Sequence, residues 1–119
     1  MVRIARVYDA PDADDGLRVL VDRLWPRGLS KDAAKADRWL KDVAPSNELR
    51  HWYGHRKELF GEFEHRYHRE LDDPERRAAL AELGELVAAG PVTLLTATKD
   101  VEISHLAVLA ALLDHPEKG

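Results

Sequence analysis

Three short apolar runs along the chain predict β-strands. They cover residues 2–8, 17–24 and 92–97, and each is bounded by glycine, proline or aspartate residues that are typical of turns. In the second run apolar side chains point alternately to both faces, which indicates a central strand buried on both sides. Because the connection between the first two runs is short, these strands are predicted to pair as a hairpin.

Apolar residues at helical spacing fill most of the remaining chain and predict about five helices. The predicted helices start near Ser30, Ser46, Leu59, Asp73 and Asp100. The apolar face of the first one consists of Ala36, Trp39, Leu40 and Val43. The last helix has an unusually wide apolar surface, and residues 115–119 are expected to be a frayed tail.

These elements predict an α/β fold with a small three-stranded sheet, which can be mixed, covered by about five helices. At 119 residues the chain is expected to form a single compact domain, residues 1–119. No apolar run approaches the roughly 20 residues that a membrane-spanning helix needs. The sequence lacks cysteine, which excludes disulfides, thiolate metal sites and cysteine nucleophiles, and favours a cytoplasmic location.

The loop after the second strand carries the most distinctive chemistry. Asp22 and Arg23 end the apolar run, and Arg27 and Gly28 follow beyond a proline. Two guanidinium groups near the end of a strand suit a phosphate, sulfate or carboxylate ligand. Gly28 would let the backbone approach such a ligand or adopt a left-handed conformation. The alternative is structural, with Arg23 paired to Asp22 or to another carboxylate of the protein.

The third strand ends in a similar segment, in which Lys99 and Asp100 precede the last helix. If this strand runs parallel to the second one, Lys99 and Asp100 would lie near Arg23. His105, about one turn into the predicted helix, could then reach the same crevice. In the alternative interpretation Asp100 only caps the helix and Lys99 is solvated. The predicted common crevice contains Asp22, Arg23, Arg27, Lys99 and His105.

Four histidines occupy the middle of the chain and raise the question of a metal site. His51 and His55 are four residues apart, but Gly54 separates them and is expected to end their helix. His65 and His68 lie on a polar helix face. We interpret these residues as surface histidines, with His55 a secondary site candidate or local cap, and expect neither a metal nor a cofactor.

The motif Asp-Arg-Leu-Trp-Pro-Arg-Gly at 22–28 resembles the YeaO-like family of bacterial proteins of unknown function (domain of unknown function 488). The segments 44–46, 48–50, 52–55 and 99–100 continue that resemblance over most of the chain. It implies a compact α/β protein without an established reaction. A broader related group places a Cys-His pair after the last strand, where this chain has Ser104-His105. The missing cysteine argues against thiol chemistry at this position, whereas His105 matches the histidine of that pair.

Three functions fit these features. The leading hypothesis is a small enzyme or ligand-sensing domain that binds an anionic small molecule, such as a nucleotide or phosphorylated metabolite. Arg23, Arg27 and Lys99 would hold the anion, while Asp22 or His105 would transfer protons. The second is a nucleic-acid-binding or regulatory module, which the net charge of −4 disfavours. Its basic face would consist of Arg3, Arg6, Arg18, Arg23 and Arg27.

The third hypothesis is a protein-interaction domain that uses the wide apolar surface of the last helix. The same surface could form a homodimer. The sequence leaves open whether the protein is an enzyme at all.

Overall fold

The computed structural model describes residues 2–114, and the tail expected at 115–119 lies outside them. These residues form one four-stranded sheet. The strands are β1 (Val2–Arg6), β2 (Leu17–Leu20), β3 (Arg38–Trp39) and β4 (Val92–Thr96). Their order is β1-β4-β2-β3 and every pairing is parallel, so the α/β prediction is confirmed but the sheet has four strands rather than three.

The predicted hairpin between the first two strands is wrong. The last strand, β4, inserts between β1 and β2, with Val92 opposite Val2 on one side and Leu17 on the other. All five residues of β4 are buried, as expected for a strand with a neighbour on each side in a parallel sheet. Parallel pairing of β2 with β4 uses the intervening helices as the crossover connection.

The additional strand replaces most of the first predicted helix. Ser30 does cap a helix, α1 (Lys31–Ala34), but Lys35 adopts a left-handed conformation that ends it after four residues. Arg18 then fixes the following chain, because its Nε donates to the Lys35 carbonyl and its backbone N–H donates to Asp37 Oδ2, both at 2.9 Å. The segment around Trp39 therefore forms a strand paired with β2, although its apolar residues have helical spacing.

Four further helices and three short 3-10 turns complete the fold. They are α2 (Asn47–Tyr53), α3 (Phe60–Glu70), α4 (Pro74–Ala89) and α5 (His105–Asp114). The 3-10 turns are Lys41–Val43, Lys57–Leu59 and Val101–Ile103. Ser46 caps α2 by accepting from the Leu49 N–H, and Gly54 ends it in a left-handed conformation, as predicted.

The last helix begins later than the sequence indicates. Asp100 precedes the turn Val101–Ile103, its side chain caps no N–H group, and His105 is the first residue of α5 rather than a residue one turn into it. Ser104 Oγ instead accepts from the Leu106 N–H at 3.1 Å. This shift places His105 directly at the end of the sheet.

Two apolar clusters cover the faces of the sheet. The larger contains the aromatic residues Tyr53, Phe63 and Tyr67, and α5 packs into it beside β1, β4 and α3. The smaller contains Leu20 and Leu95, with Trp25 against it. Most of the wide apolar surface of α5 is thereby occupied within the molecule. Across residues 2–114, no helix is long and apolar enough to cross a membrane.

Candidate functional site

A cleft of about 650 Å³ opens at the carboxyl edge of the sheet. Its walls come from the loop after β2, the loop after β4, the start of α5, the segment 44–45 and the helix α2. Parallel α/β sheets commonly bind ligands at this edge, because the strands end there and their loops diverge. The volume lies in the range of sites that hold whole small organic molecules rather than single ions.

The loop after β2 forms the first wall, which includes residues 22–27. Its turn is fixed by the Trp25 indole, whose Nε1 donates to the Leu29 carbonyl at 2.5 Å, and by an edge-on contact with Trp39. Gly28 completes the turn with a φ of +78°. The geometry of the turn therefore explains Trp25 and Gly28 of the motif, and Arg23 and Arg27 remain to be explained.

Arg23 and Arg27 line the cleft and have no partner within residues 2–114. Neither side chain makes a hydrogen bond or an ion pair there. Arg18, four residues before the cleft, is the opposite case. It is 5% exposed and its NH1 lies 2.7 Å from Asp15 Oδ2, with further donation to two carbonyls. The chain thus neutralises the buried arginine internally and leaves the two cleft arginines to solvent or a ligand.

The helix α2 and its C-terminal residues form a second cationic wall. Arg50, His51 and His55 line the cleft there, and His55 follows Gly54 with a positive φ of 59°. Arg50 donates to Asn47 Oδ1 at 3.1 Å, which leaves its remaining N–H groups without a carboxylate partner in the described chain. Two separate segments therefore bring cations to one opening.

Glu70 and Arg76 hold this second wall against the rest of the fold. The carboxylate of Glu70 accepts from the backbone N–H and the hydroxyl of Ser46, at 2.9 and 2.5 Å. The Nε of Arg76 donates to the Ala44 carbonyl at 3.0 Å. These contacts fix the segment 44–46 and so position the start of α2 beside the cleft.

Asp22 ties the two strand ends together at the base of the cleft. Its Oδ1 accepts from the Thr96 hydroxyl at 2.6 Å and its Oδ2 from the Ala97 N–H at 2.8 Å. Burial opposes ionisation of this carboxyl, but interactions with His105 and the two donors outweigh it and lower the pKa of Asp22. Both carboxylate oxygens are thus already engaged in holding β2 to β4.

His105 is buried beside Asp22. Its Nε2 lies 2.7 Å from the Val21 carbonyl and 3.5 Å from Asp22 Oδ1. Since a carbonyl only accepts, Nε2 carries a proton and donates it to Val21. The edge of the imidazole packs against Tyr67, at 6.3 Å between ring centroids. This arrangement fixes the tautomer and orientation of the ring.

The structure brings four of the seven predicted site residues to the cleft. Asp22, Arg23, Arg27 and His105 line it. Gly28, Lys99 and Asp100 do not; Gly28 forms the turn behind Arg27, while Lys99 and Asp100 are exposed beyond the β4 loop. Ala97 and Thr98 occupy the cleft side of that loop instead, because the chain turns outward after Thr98.

Comparison with known proteins places the chain in a family. Residues 1–118 match the model of DUF488-N3i, which is described as the inactive DUF488-N3 subclade. The chain belongs to the DUF488-N3i family. Its resemblance to YeaO is confirmed, since the uncharacterized protein YeaO of Escherichia coli is 37% identical over 109 residues, 92% of this chain and 93% of the relative.

Two mycobacterial relatives are more similar. Uncharacterized proteins of Mycobacterium tuberculosis and Mycobacterium bovis are each 57% identical over 113 residues, which cover 95% of this chain and 93% of theirs. No solved structure gives a significant match to the chain.

In this DUF488-N3i chain, Ser104 does not resemble an activated nucleophile. Its Oγ donates to the Val101 carbonyl at 2.7 Å and accepts from the Leu106 N–H. His105 in turn is committed to Val21. The part of the chain from Val2 to Asp114 also holds no cluster of three or more histidines and carboxylates able to bind a metal.

Sequence reasoning missed the second wall of the cleft. Arg50 was noticed only as part of the family-like pattern, and His51 was interpreted as a surface histidine. The signal was present in that pattern, because the segments 44–46, 48–50 and 52–55 all belong to it and all build this wall. Periodicity could not reveal the wall, since α2 is distant in sequence from the arginine loop.

Proposed function

We propose that this protein binds a phosphorylated small molecule in the cleft and does so without transforming it chemically. The observation that carries the proposal is the pair Arg23 and Arg27, which line the cleft and have no protein partner within residues 2–114. Guanidinium groups form short, charge-assisted hydrogen bonds with phosphate oxygens, often in pairs.

The charge of the cleft supports an anionic ligand. Its lining contains three arginines and three histidines but a single carboxylate, Asp22, whose oxygens already accept from the protein. The whole chain carries a net charge of −4, so this positive surface is local. Such concentration of one sign in a concave site raises the local concentration of anions.

The hydrogen bonds of the polar groups at the base of the cleft support binding without turnover. Asp22 and His105, which the sequence suggested for proton transfer, are held by Thr96, Ala97 and Val21. We assign them the role of joining strand ends and shaping the cleft. The description of the matched subclade as inactive supports the same assignment.

The alternative of a nucleic-acid-binding face lacks a continuous basic surface. Arg18 is buried in its ion pair with Asp15. Arg3 lies 3.7 Å from the same carboxylate, and Arg6 donates to the carbonyls of the β4 loop. Three of the five arginines that would form the face are therefore occupied within the protein, and we do not propose this function.

Calorimetric titration with inorganic phosphate and a sugar monophosphate tests the proposal, using wild type, Arg23→Ala, Arg27→Ala and the control Arg77→Ala. The Arg77 side chain is 71% exposed on α4, away from the cleft. Loss of one charge-assisted hydrogen bond should weaken binding by roughly tenfold or more in the cleft variants alone. A wild type that binds neither these compounds nor a diphosphate, or phosphorus NMR showing conversion of the bound ester, would contradict the proposal.

A further inference from the structure

We infer that the ligand of this cleft is an organic diphosphate, with its two phosphoryl groups held by separate segments of the chain. The inference rests on the proposed function and specifies its ligand class. The observation behind the inference is that the arginines of the cleft lie on two separate segments, not how many arginines there are. Arg23 and Arg27 belong to the loop after β2, while Arg50 belongs to α2, and both segments line the same opening.

The formal charge of the lining suits a monophosphate or a diphosphate, and the placement of the arginines on two segments distinguishes the two ligands. With neutral histidines, three arginines and one carboxylate give the lining a formal charge of +2. A diphosphate carries two to three negative charges near neutral pH. A phosphate monoester, at about −1.5 to −2, already balances the charge of the lining, but only a diphosphate offers the oxygens of two phosphoryl groups, one for each segment.

Each cationic segment is independently fixed, as simultaneous contact with two phosphoryl groups requires. The indole of Trp25 closes the arginine loop through the Leu29 carbonyl. Glu70 closes the start of α2 through Ser46. Because these contacts do not depend on each other, both walls are ordered before a ligand arrives, which reduces the entropic cost of binding.

The rest of the cleft suits an organic group attached to the diphosphate. Apolar side chains share the lining with the cations, among them Leu24, Trp25 and Pro45. Leu24 is 68% exposed although it lies directly beside Arg23. A volume of about 650 Å³ greatly exceeds the needs of an inorganic ion. An apolar or planar group against this surface would add hydrophobic contact to the charge interactions.

The test compares five probes by titration calorimetry at fixed ionic strength: phosphate, pyrophosphate, adenosine, its monophosphate and its diphosphate. We expect each diphosphate to bind at least tenfold more tightly than the corresponding monophosphate, and adenosine diphosphate to bind more tightly than pyrophosphate. Arg50→Ala should remove the advantage of the diphosphates but change monophosphate affinity less than threefold. Arg23→Ala should weaken both classes.

Arg69→Ala on the exposed side of α3 is the control, and circular dichroism verifies that each variant is folded. Equal affinity for monophosphates and diphosphates, or equal losses for both in Arg50→Ala, would overturn the diphosphate inference and leave the proposed function standing. If pyrophosphate bound as tightly as adenosine diphosphate, the inference that the ligand carries an organic group would be wrong. A wild type that binds no phosphate compound would overturn both proposals.

Discussion

Replacing Arg23 with alanine tests whether the motif at 22–28 serves binding or stability. If a carboxylate of the protein neutralised Arg23, its removal would leave a partly buried charge unpaired, at a cost of about 3–5 kcal/mol. The structure gives Arg23 no such partner within residues 2–114, and Asp22 contacts Thr96, Ala97 and His105 instead. We therefore expect Arg23→Ala to change the free energy of unfolding by less than about 1 kcal/mol.

Arg18→Ala, on the strand β2 that leads into the arginine loop, provides the matched comparison. Arg18 donates to Asp15 at 2.7 Å and to the Lys35 and Ala34 carbonyls at 2.9 and 3.3 Å, all in the interior. Its loss should cost about 3–5 kcal/mol. For a domain of this size 1 kcal/mol corresponds to roughly 4 °C in Tm. Arg18→Ala should thus lower Tm by about 12–20 °C, and Arg23→Ala by no more than about 4 °C.

The assay is thermal and urea unfolding with and without phosphate at constant ionic strength. At a phosphate concentration ten times Kd, binding should stabilise the wild type by about 1.4 kcal/mol, or roughly 6 °C. Arg23→Ala should lose most of that stabilisation, because a tenfold weaker Kd leaves only about 0.4 kcal/mol. A strongly destabilised Arg23→Ala together with a wild type indifferent to phosphate would refute the reasoning and make the loop a structural ion-pair cluster.

Two further predictions concern stability at the two edges of the sheet. Asp22→Asn should cost about 1–3 kcal/mol at pH 7. Because the folded-state pKa of Asp22 is lowered, its contribution is complete above the unfolded pKa of about 3.9 and is lost as pH falls through the folded value. The difference from wild type in urea unfolding should therefore shrink at pH 3, and a difference equal at both pH values would disprove the lowered pKa. Gly16→Ala should cost about 2 kcal/mol or more, since Gly16 has a φ of +65° and an added Cβ would lie 2.2 Å from the Pro91 carbonyl oxygen. The control Gly61→Ala, in open space on α3, should stabilise the protein by about 0.5–1 kcal/mol, and equal melting temperatures for the two variants would contradict this account.

Much of the secondary structure could be predicted, because apolar periodicity and helix caps depend on interactions between residues close in sequence. The apolar runs located β1, β2 and β4, and the serine caps located the starts of α1 and α2, since these signals depend on a few consecutive residues. The resemblance carried by the motif at 22–28 correctly indicated the family. The arginine pair at the end of an apolar strand separately indicated Asp22, Arg23 and Arg27, all of which line the cleft.

Strand β3 and the order of the sheet depend on contacts between residues far apart along the chain. The segment around Trp39 has helical spacing, but hydrogen bonds from Arg18 to Lys35 and Asp37 place it beside β2. Likewise β4 separates β1 from β2: its three apolar residues and two threonines are all buried, and the threonine hydroxyls donate to Asp15 and Asp22. Short-range periodicity cannot predict such pairing, because it does not report contacts between distant segments of the chain.

The sequence by itself therefore determined the α/β class, the positions of the main apolar elements, the family and one wall of the cleft. Only the tertiary structure decided which arginines are neutralised internally, since Arg18 and Arg23 look alike in sequence and differ in their surroundings. It also brought Arg50 on α2 to the same opening as the loop after β2. The physical reason is that the charge of a side chain is local, whereas its desolvation and its partners are set by the packing of distant segments.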